Sequence, residues 1–468
     1  LLNNEEKIKA PDTFKTKRAI GKGLEDFHYR IQVAPLDCTG CMNCADICPA
    51  PGKALVIKPA TQEIEMEAEN WEYALSITPK EDLMDRYTLK GSQFRRPLLE
   101  FNGACPGCGE TPYVKLLTQL FGERMMIANA TGCSSIWGGS YPSIPYTTNA
   151  EGRGPAWANS LFENNAEYGY GMHLGAKQIR EKIARLMTEA LNMPLAEQIK
   201  DAFREWLDSF DDGDQSRVAS DKVLKALQGD SIENPLIDEI QKRKDYLVKR
   251  SVWAVGGDGW AYDIGYNGLD HVLASGDDIN LLVMDTEVYS NTGGQSSKAT
   301  QTAAIAKFAA AGKKIRKKDL GMMAMSYGYV YVAQIAMGAN MLQTIRAITE
   351  AERYKGPSLV IAYATCVNHG IKSGMGTSLA QQKKAVEAGY WHLYRYNPVL
   401  KEQGKNPFIM DSKKPKGNFK KFLESEIRYS SLMNVFPEIA EEMFDLAEAH
   451  ALTRYETYRR MAENDCCK

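Results

Sequence analysis

The sequence lacks the features that would assign it to a membrane, to a nucleic acid or to secretion. No apolar run reaches the roughly 18 residues that a membrane-spanning helix needs. Charge of one sign does not dominate, because 57 basic and 59 acidic residues leave a net charge of −2. The first 20 residues are polar and charged and lack the pattern of a signal peptide. We therefore expect a cytoplasmic protein with no membrane and no nucleic-acid partner.

A disulfide framework is not expected either, although the chain has ten cysteines. Most of them stand at spacings typical of metal ligands, which fits a reducing compartment. Cys466 and Cys467 are adjacent near the end of the chain, and we interpret them as incidental. With 468 residues, 44% of them apolar, the chain is long enough for two to four globular domains.

The most specific motif is a run of four cysteines near the beginning of the chain. Cys38, Cys41, Cys44 and Cys48 are spaced C-x2-C-x2-C-x3-C and are followed by Pro49. This is the spacing of bacterial ferredoxins, in which three thiolates bind one [4Fe-4S] cluster and the fourth reaches a second cluster. A zinc knuckle is the alternative, but zinc rarely uses this spacing. The motif predicts electron transfer.

A second run of this kind is missing, although a two-cluster ferredoxin needs two. The sequence also begins at Leu1 and not at a methionine. We therefore expect an N-terminal truncation. Cys38, Cys41 and Cys44 would then lack a fourth ligand, and Cys48 would serve a cluster whose other ligands are absent.

Composition predicts a chain of four parts. The first is a partial ferredoxin-like α+β domain with strand-like pieces at 29–33 and 54–57, and the second is an acidic and then basic connector. The third alternates strands with helices, which predicts an α/β domain with a parallel sheet and a charged helical insertion. The fourth is a helical tail. The expected boundaries are 1–60, 61–100, 101–416 with the insertion at about 174–250, and 417–468.

Four short apolar runs have the character of buried parallel strands. They are 125–128, 252–255, 281–284 and 358–362. Gly257-Asp258-Gly259 follows the second run, and a loop from Asp285 to Gly294 follows the third. Because parallel strands end at the same edge of a sheet, Asp258 and Thr286 should face one crevice.

These two loops carry the residue types of a magnesium–diphosphate site. An aspartate, a hydroxyl and a nearby backbone carbonyl form an all-oxygen set suited to Mg²⁺. Glycines let the backbone approach a diphosphate, and a helix N-terminus favours its charge. An ordinary strand-to-loop turn is the alternative, which Thr292-Gly293-Gly294-Gln295 makes less favourable.

A second set of cysteines is scattered through the α/β region. Cys105 and Cys108 form a C-P-G-C pair, Cys133 follows the first apolar run, and Cys366 follows the last. All four stand in loops or at strand ends, where one edge of the sheet could gather them around a cluster. Spacing alone favours this hypothesis no more than the alternative that they are buried structural cysteines.

Taken together, these motifs resemble those of the pyruvate:ferredoxin (flavodoxin) oxidoreductases, over nearly the whole chain. The resemblance is to the C-terminal part: half of the two-cluster ferredoxin domain, then the thiamine diphosphate-binding domain. It rests on four stretches, which are Cys105-Pro-Gly-Cys108-Gly-Glu110, Ala130-Thr-Gly-Cys133-Ser-Ser-Ile-Trp137, Gly257-Asp-Gly-Trp260-Ala-Tyr-Asp-Ile-Gly265 and Asp285-Thr-Glu-Val-Tyr-Ser-Asn-Thr-Gly-Gly-Gln295.

The resemblance implies a role for each matching residue. Cys105, Cys108, Cys133 and Cys366 would bind a proximal [4Fe-4S] cluster, and the four cysteines from Cys38 to Cys48 would serve two further clusters. Mg²⁺ would be bound by Asp258, Thr286 and the Val288 carbonyl, and Asn291 would assist catalysis. The residues expected to line thiamine diphosphate are Glu110, Cys133, Gly257, Asp258, Gly259, Trp260, Thr286, Glu287, Val288, Tyr289, Ser290 and Asn291.

The implied activity is oxidative decarboxylation of pyruvate with coenzyme A to acetyl-CoA and CO2, with electrons passed to ferredoxin or flavodoxin. The family also has a pyrimidine- and pyruvate-binding domain that is not found here, so this chain alone should be inactive. The full-length form should be a homodimer. The alternatives are an electron-transfer subunit of another 2-oxoacid:ferredoxin oxidoreductase and a cluster-free thiamine enzyme. The basic run 313–318 is interpreted as a solvated face, with ferredoxin docking as the alternative.

Overall fold

An eight-stranded sheet forms the centre of the molecule in the computed structural model, which describes residues 1–140, 143–228 and 234–463. Cys466 and Cys467 lie outside the described residues. Six neighbouring strands are parallel, and one antiparallel strand joins them to the last. The order across the sheet is Phe408–Met410, Tyr394–Tyr396, Tyr331–Ile335, Ser358–Tyr363, Asn280–Asp285, Ser251–Gly256, Met125–Ala130 and Ala156–Ser160.

All four strands expected from apolar runs are present, each one to two residues longer than the run. The edge strand Ala156–Ser160 was not expected from the sequence. Its residues are exposed or half-buried, because the sheet continues on one side only, so it has no continuous apolar run. Helices cover both faces of the sheet, and the expected α/β class is therefore confirmed.

Each face of the sheet has its own helices. Helices Thr111–Phe121 and Met341–Arg353 pack on one face. The other face is covered by Tyr266–Ala274, Leu320–Met325 and the helices at the C-terminal end. The remaining helices in this region are shorter or peripheral, and they are Cys133–Ser135, Asp258–Tyr262, Ser378–Glu387 and Pro398–Glu402.

Among the described residues, four α-helices stand between the strands Ala156–Ser160 and Ser251–Gly256, and they have a separate apolar core around Phe203 and Trp206. The first begins at residue 165, nine residues before the expected start. Three glycines between 165 and 175 hide the helical pattern, and one of them, Gly169, lets the helix approach the sheet. These helices are Asn165–Ala190, Glu197–Asp208, Gly213–Leu227 and Pro235–Lys242.

The N-terminal region differs most from expectation. Only two short strands, Lys17–Arg18 and His28–Tyr29, pair there, and residues 54–57 are not a strand. Val56 and Ile57 are exposed, and this segment pairs with no strand among the described residues. The two helices before residue 60 are Asn4–Lys9 and Asn43–Ile47.

The segment interpreted as a connector is largely helical. Helix Ala60–Ser76 has 17 residues, and its alanine and glutamate content favours this conformation. Glu67 of this helix forms an ion pair with Arg30 at 2.7 Å, so the helix is attached to the N-terminal region. A short helix, Leu89–Ser92, precedes the sheet domain.

Three helices end the described chain: Phe419–Glu424, Ile427–Val435 and Pro437–Glu463. The last one packs against the sheet through Tyr455 and Tyr458, whose rings lie about His392. Within the described ranges, every helix is too short or too polar to cross a membrane.

His392 should make stability sensitive to acid. Its side chain is buried, and burial, assisted by Arg454, lowers its pKa to about 3. Because unfolded histidine takes up a proton below about pH 6.5, the free energy of unfolding should fall as pH decreases from 6.5 towards 3. At pH 4 the loss from this group should be about 3 kcal/mol.

Urea denaturation of wild type and His392→Phe at pH 7 and pH 4 measures this effect. Any packing defect of the variant is present at both pH values, so the difference between pH values isolates the titration. Equal pH dependence in the two proteins would contradict the assignment.

Candidate functional site

The candidate site lies where the strands Ser251–Gly256 and Asn280–Asp285 end side by side. The chain turns sharply after Gly256, and only glycine fits there. A Cβ at this position would lie 2.6 Å from the Trp260 ring and 2.7 Å from the Ala130 Cβ. The turn directs Asp258 back towards the loop that begins at Thr286, as the positions of the two strands required.

Three oxygen atoms from these loops converge in the buried crevice. The Thr286 Oγ1 lies 2.7 Å from the Asp258 Oδ2 and 3.0 Å from the Val288 carbonyl oxygen. Octahedral Mg²⁺ with ligands at 2.0–2.1 Å separates neighbouring oxygens by about 2.9 Å. A carboxylate, a hydroxyl and a carbonyl at this spacing match the donor set of a magnesium site.

The charge distribution in the crevice also suits a cation. Burial and the neighbouring Asp285 raise the pKa of the Asp258 carboxyl well above its usual range, although Lys317 opposes this shift. Both carboxyl groups are almost fully buried. Since Lys317 is the ion-pair partner of Asp285, a divalent cation at Asp258 would compensate the second carboxylate.

A cavity of about 150 Å³ adjoins these oxygens. The indole Nε1 of Trp260 is buried at its wall and has no hydrogen-bond partner among the described residues, so it is free to donate to a ligand. Ten of the expected cofactor residues line the cavity, and they are Glu110, Cys133, Gly257, Asp258, Gly259, Trp260, Val288, Tyr289, Ser290 and Asn291.

Two expected lining residues are placed differently. Thr286 meets the site through its hydroxyl at the metal-type oxygens. Glu287 turns its side chain away from the cavity, with φ of +65°, and only its backbone N–H reaches the Asp258 Oδ1, at 3.2 Å. Glu287 therefore faces the crevice with its backbone and not with its side chain.

The Glu287 carboxylate belongs to a buried charge network that the sequence did not indicate. It pairs with Arg428 at 2.8 Å and with Lys317 at 3.4 Å, and it accepts a hydrogen bond from Tyr390. Burial alone would raise its pKa, but Lys317 and Arg428 lower it to about 2. Glu287 is therefore ionised at neutral pH. Its ion pairs hold the loop from Thr286 to Asn291 on the side away from the cavity.

The interpretation of residues 313–318 as a solvated basic face is wrong for half of the run. Lys313 and Lys317 are buried, and Lys318 lies with its Nζ 3.0 Å from the centre of the Tyr266 ring. Lys314 and Arg316 are exposed. Lys317 is buried as the ion-pair partner of Asp285 and Glu287 beneath the candidate site.

Phe162 and Thr131 also line the cavity but were not expected. Both follow parallel strands at the carboxyl edge, so the rule that found Asp258 applies to them as well. Phe162 was missed because the edge strand before it lacks an apolar run.

The four scattered cysteines meet at the same edge of the sheet. The Cys105–Cys108 loop is attached to the end of strand Ser358–Tyr363 by the Gly109 N–H, which donates to the Thr365 carbonyl at 3.0 Å. Burial, and then Glu110, raise the pKa of the Cys133 thiol to about 12, and Cys366 and Cys105 act in the same direction. These thiols are therefore within electrostatic range of one another.

No three histidine, cysteine or acidic side chains within residues 1–140, 143–228 and 234–463 are close enough to hold a single metal ion. A [4Fe-4S] cluster has a different requirement, because each thiolate binds its own iron and the four sulfurs stand around the cube. The four thiols are free and unpaired by disulfides. Their placement around one edge fits a cluster better than a zinc ion.

Asn291 and Glu110 connect the cavity with these cysteines. The Asn291 Oδ1 lies 4.0 Å from the Cys133 Sγ, at the boundary of the two groups. Glu110 is buried and accepts a hydrogen bond of 2.9 Å from the Trp137 Nε1. Burial raises its pKa to about 7. A proton-exchanging carboxyl group and an amide therefore stand next to a thiol site.

The first cysteine run approaches the same region. Cys38 and Cys44 are exposed, Cys48 is buried, and the backbone N–H of Ala54 donates to the Cys48 Sγ at 3.3 Å. Helix Asn43–Ile47 is hydrogen-bonded to helix Ser378–Glu387, because the Asn43 Nδ2 donates to the Ser378 Oγ at 3.1 Å. The two sets of cysteines are thus neighbours in the fold.

The fold and the crevice define a thiamine diphosphate-binding domain. Residues 242–362 match the family model described as Thiamine pyrophosphate enzyme, C-terminal TPP binding domain. The model covers the central strands and the loops that carry Asp258 and Thr286.

Sequence comparison extends the likeness to almost the entire chain. It is 58% identical over 462 residues to the pyruvate-flavodoxin oxidoreductase of Klebsiella pneumoniae, covering 99% of this chain and 39% of that protein. It is 58% identical over 460 residues to the pyruvate:ferredoxin oxidoreductase of Moorella thermoacetica, covering 97% and 39%. The mitochondrial pyruvate dehydrogenase [NADP(+)] of Euglena gracilis is 48% identical over 464 residues, covering 99% and 26%.

The chain is therefore similar, over nearly its whole length, to one part of the pyruvate-flavodoxin and pyruvate:ferredoxin oxidoreductases. It spans about two fifths of the length of the first two relatives.

Proposed function

We propose that this chain forms the thiamine- and cluster-binding part of an enzyme that oxidises pyruvate with coenzyme A to acetyl-CoA and CO2. Ferredoxin or flavodoxin receives the electrons, and the complete enzyme is a cytoplasmic homodimer. The observation that carries the proposal is the convergence of the Asp258, Thr286 and Val288 oxygens beside a cavity that Cys133 also lines.

The residues of the cavity have different roles in binding the cofactor and in orienting the reacting groups. Asp258, Thr286 and the Val288 carbonyl would hold Mg²⁺, which would supply positive charge for a diphosphate. When bound, thiamine diphosphate supplies the electron sink that allows a 2-oxoacid to lose CO2. Asn291 lies between the cavity and Cys133, where its amide can orient the reacting groups.

The cysteines give the site a one-electron acceptor. Cys105, Cys108, Cys133 and Cys366 hold a [4Fe-4S] cluster next to the cavity, and such a cluster accepts electrons one at a time. The run from Cys38 to Cys48 then contributes ligands for two further clusters. The hydrogen bond from Asn43, within this run, to Ser378 supports this order of electron transfer.

The three relatives support a common role for this segment. Their names specify flavodoxin, ferredoxin and NADP(+), respectively, yet all three proteins match nearly the whole of this chain. We therefore assign the shared thiamine and cluster chemistry to this part and place the choice of final acceptor elsewhere.

Iron analysis tests the proximal cluster directly. After anaerobic reconstitution, the chain should contain about four iron and four acid-labile sulfide atoms, because only one ligand set is complete. Cys366→Ser should lose most of this iron, whereas the control Cys38→Ser should retain it. Folded protein without iron, or equal retention in both variants, would refute the ligand set.

Activity of the complete enzyme tests the reaction. Anaerobic reduction of a ferredoxin should require pyruvate, coenzyme A and thiamine diphosphate together. Reduction with 2-oxoglutarate in place of pyruvate would instead favour another 2-oxoacid:ferredoxin oxidoreductase.

A further inference from the structure

The 3-10 turn Val367–His369 lies between the two halves of the candidate site. Cys366, a proposed cluster ligand, comes directly before it, and the loop from Thr286 to Asn291 lies across from it. The contacts of His369 and Asn368 give the turn a specific role, which rests on the proposed function.

His369 connects Thr286 with Cys366. Its buried Nε2 lies 2.7 Å from the Thr286 carbonyl oxygen. A carbonyl oxygen can only accept, so the Nε2 carries the hydrogen. The Nδ1 is then the acceptor for the backbone N–H of Cys366, at 3.5 Å. The two contacts require the same tautomer, and the ring joins the two loops without conflict.

Asn368 makes a second connection, on the sulfur side. Its backbone N–H and its Nδ2 point at the Cys366 Sγ, at 3.5 and 3.6 Å. The same Nδ2 lies 3.3 Å from the Ser290 carbonyl oxygen. One amide group is therefore shared between a proposed cluster ligand and the loop that lines the cavity.

Groups in these positions affect both sites. Hydrogen bonds to a ligand sulfur stabilise the more negative, reduced cluster and raise its reduction potential. Residues behind a metal ligand typically change metal affinity ten- to a hundredfold when they are removed. A shift of the Thr286 loop upon binding would pass through Asn368 and His369 to Cys366, because each residue contacts both sides.

We propose that the turn Val367–His369 couples the two cofactor sites, with Asn368 and His369 as positioning residues. Magnesium–thiamine diphosphate at the Thr286 side then changes the reduction potential of the cluster at Cys366. Because such coupling is reciprocal, the redox state of the cluster changes the affinity for thiamine diphosphate by the same free energy.

The test uses the complete enzyme, reconstituted under anaerobic conditions, and measures two quantities. Calorimetry gives the dissociation constant of thiamine diphosphate with Mg²⁺, for protein kept oxidised and for protein reduced with dithionite. Redox titration followed by electron paramagnetic resonance gives the midpoint potential of the cluster, with and without thiamine diphosphate. Wild type should show a redox-dependent affinity and a ligand-dependent potential.

Three variants and a control separate coupling from folding. His369→Leu should weaken binding about ten- to a hundredfold and abolish its redox dependence. His369→Gln keeps a donor and an acceptor and should restore part of both. Asn368→Ala should keep the iron content of wild type, but the cluster at Cys366 should show a more negative potential. His271→Leu, at an exposed histidine, should behave as wild type.

The outcomes distinguish this inference from the proposed function. Wild-type protein that binds neither cluster nor thiamine diphosphate would overturn both. Protein that binds both, with an affinity indifferent to redox state, would overturn the coupling alone. Wild-type coupling in His369→Leu and an unchanged potential in Asn368→Ala would also remove the turn from the proposal.

Discussion

Asp258→Asn should weaken the binding of magnesium–thiamine diphosphate by more than about a hundredfold, since the loss of groups behind a ligand alone costs ten- to a hundredfold. The substitution keeps the shape of the side chain but removes the charge that Mg²⁺ needs beside the Thr286 hydroxyl and the Val288 carbonyl. Calorimetric titration of thiamine diphosphate at fixed Mg²⁺ measures the effect.

The same substitution should not destabilise the protein without ligand. The pKa of the Asp258 carboxyl is raised by burial and by Asp285, so its ionised form is unfavourable in the empty crevice. A neutral amide removes this repulsion, and the melting temperature should be equal to or above that of wild type. Weak binding in a protein of undiminished stability would separate ligand loss from misfolding.

Asp270→Asn is the matched control for this prediction. Asp270 accepts a hydrogen bond of 2.9 Å from Tyr327 on the same face of the sheet and does not line the cavity. Its replacement should leave the dissociation constant unchanged. Wild-type affinity in Asp258→Asn would show that the diphosphate is held by other groups.

The position of the site could be predicted because it depends on a short-range rule. Each strand is recognisable as an apolar run, and parallel strands deliver their following loops to one edge. Asp258 and Thr286 therefore converge although 28 residues separate them. Phe162 obeys the same rule, but its strand is an edge strand with half-exposed residues and gave no apolar run.

The network below the site could not be predicted, because its members have no common pattern. Glu287 follows Thr286 in a motif that the resemblance assigns to the cofactor. Its partners Tyr390 and Arg428 come from distant segments and look like ordinary polar residues. Local sequence shows neither the left-handed conformation at Glu287 nor the direction of its side chain.

Two other errors have the same physical origin. A charge run such as 313–318 is solvated in most proteins, and only the buried carboxylates of Asp285 and Glu287 explain why Lys317 is not. Residues 54–57 have the composition of a strand but meet no partner edge among the described residues. In both cases the outcome depends on neighbours that are remote in the sequence.

Arg428→Met should lower the free energy of unfolding by about 3–5 kcal/mol, because it removes the cation that pairs with the buried Glu426 and leaves Glu287 with Lys317. Arg428 is almost fully buried and forms ion pairs with Glu287 at 2.8 Å and with Glu426 at 2.7 Å. Equilibrium denaturation in urea at pH 7 measures the loss. Arg459→Met, which removes the exposed pairs with Glu456 and Glu463, should cost less than about 1 kcal/mol.

The Arg428 substitution should also reach the cofactor, although this residue does not line the cavity. Glu287 stands between Thr286 and Val288 with φ of +65°, a conformation that costs about 1–3 kcal/mol unless its surroundings enforce it. Without Arg428 that conformation loses its nearer cation, and the Thr286 hydroxyl and the Val288 carbonyl lose their spacing. Affinity for Mg²⁺ should therefore fall together with stability. Adding Glu426→Gln should recover part of the stability by removing one unpaired charge, whereas affinity should stay low because Glu287 still lacks Arg428. Recovery of both quantities would place the role of Arg428 at Glu426 and not at the magnesium loop.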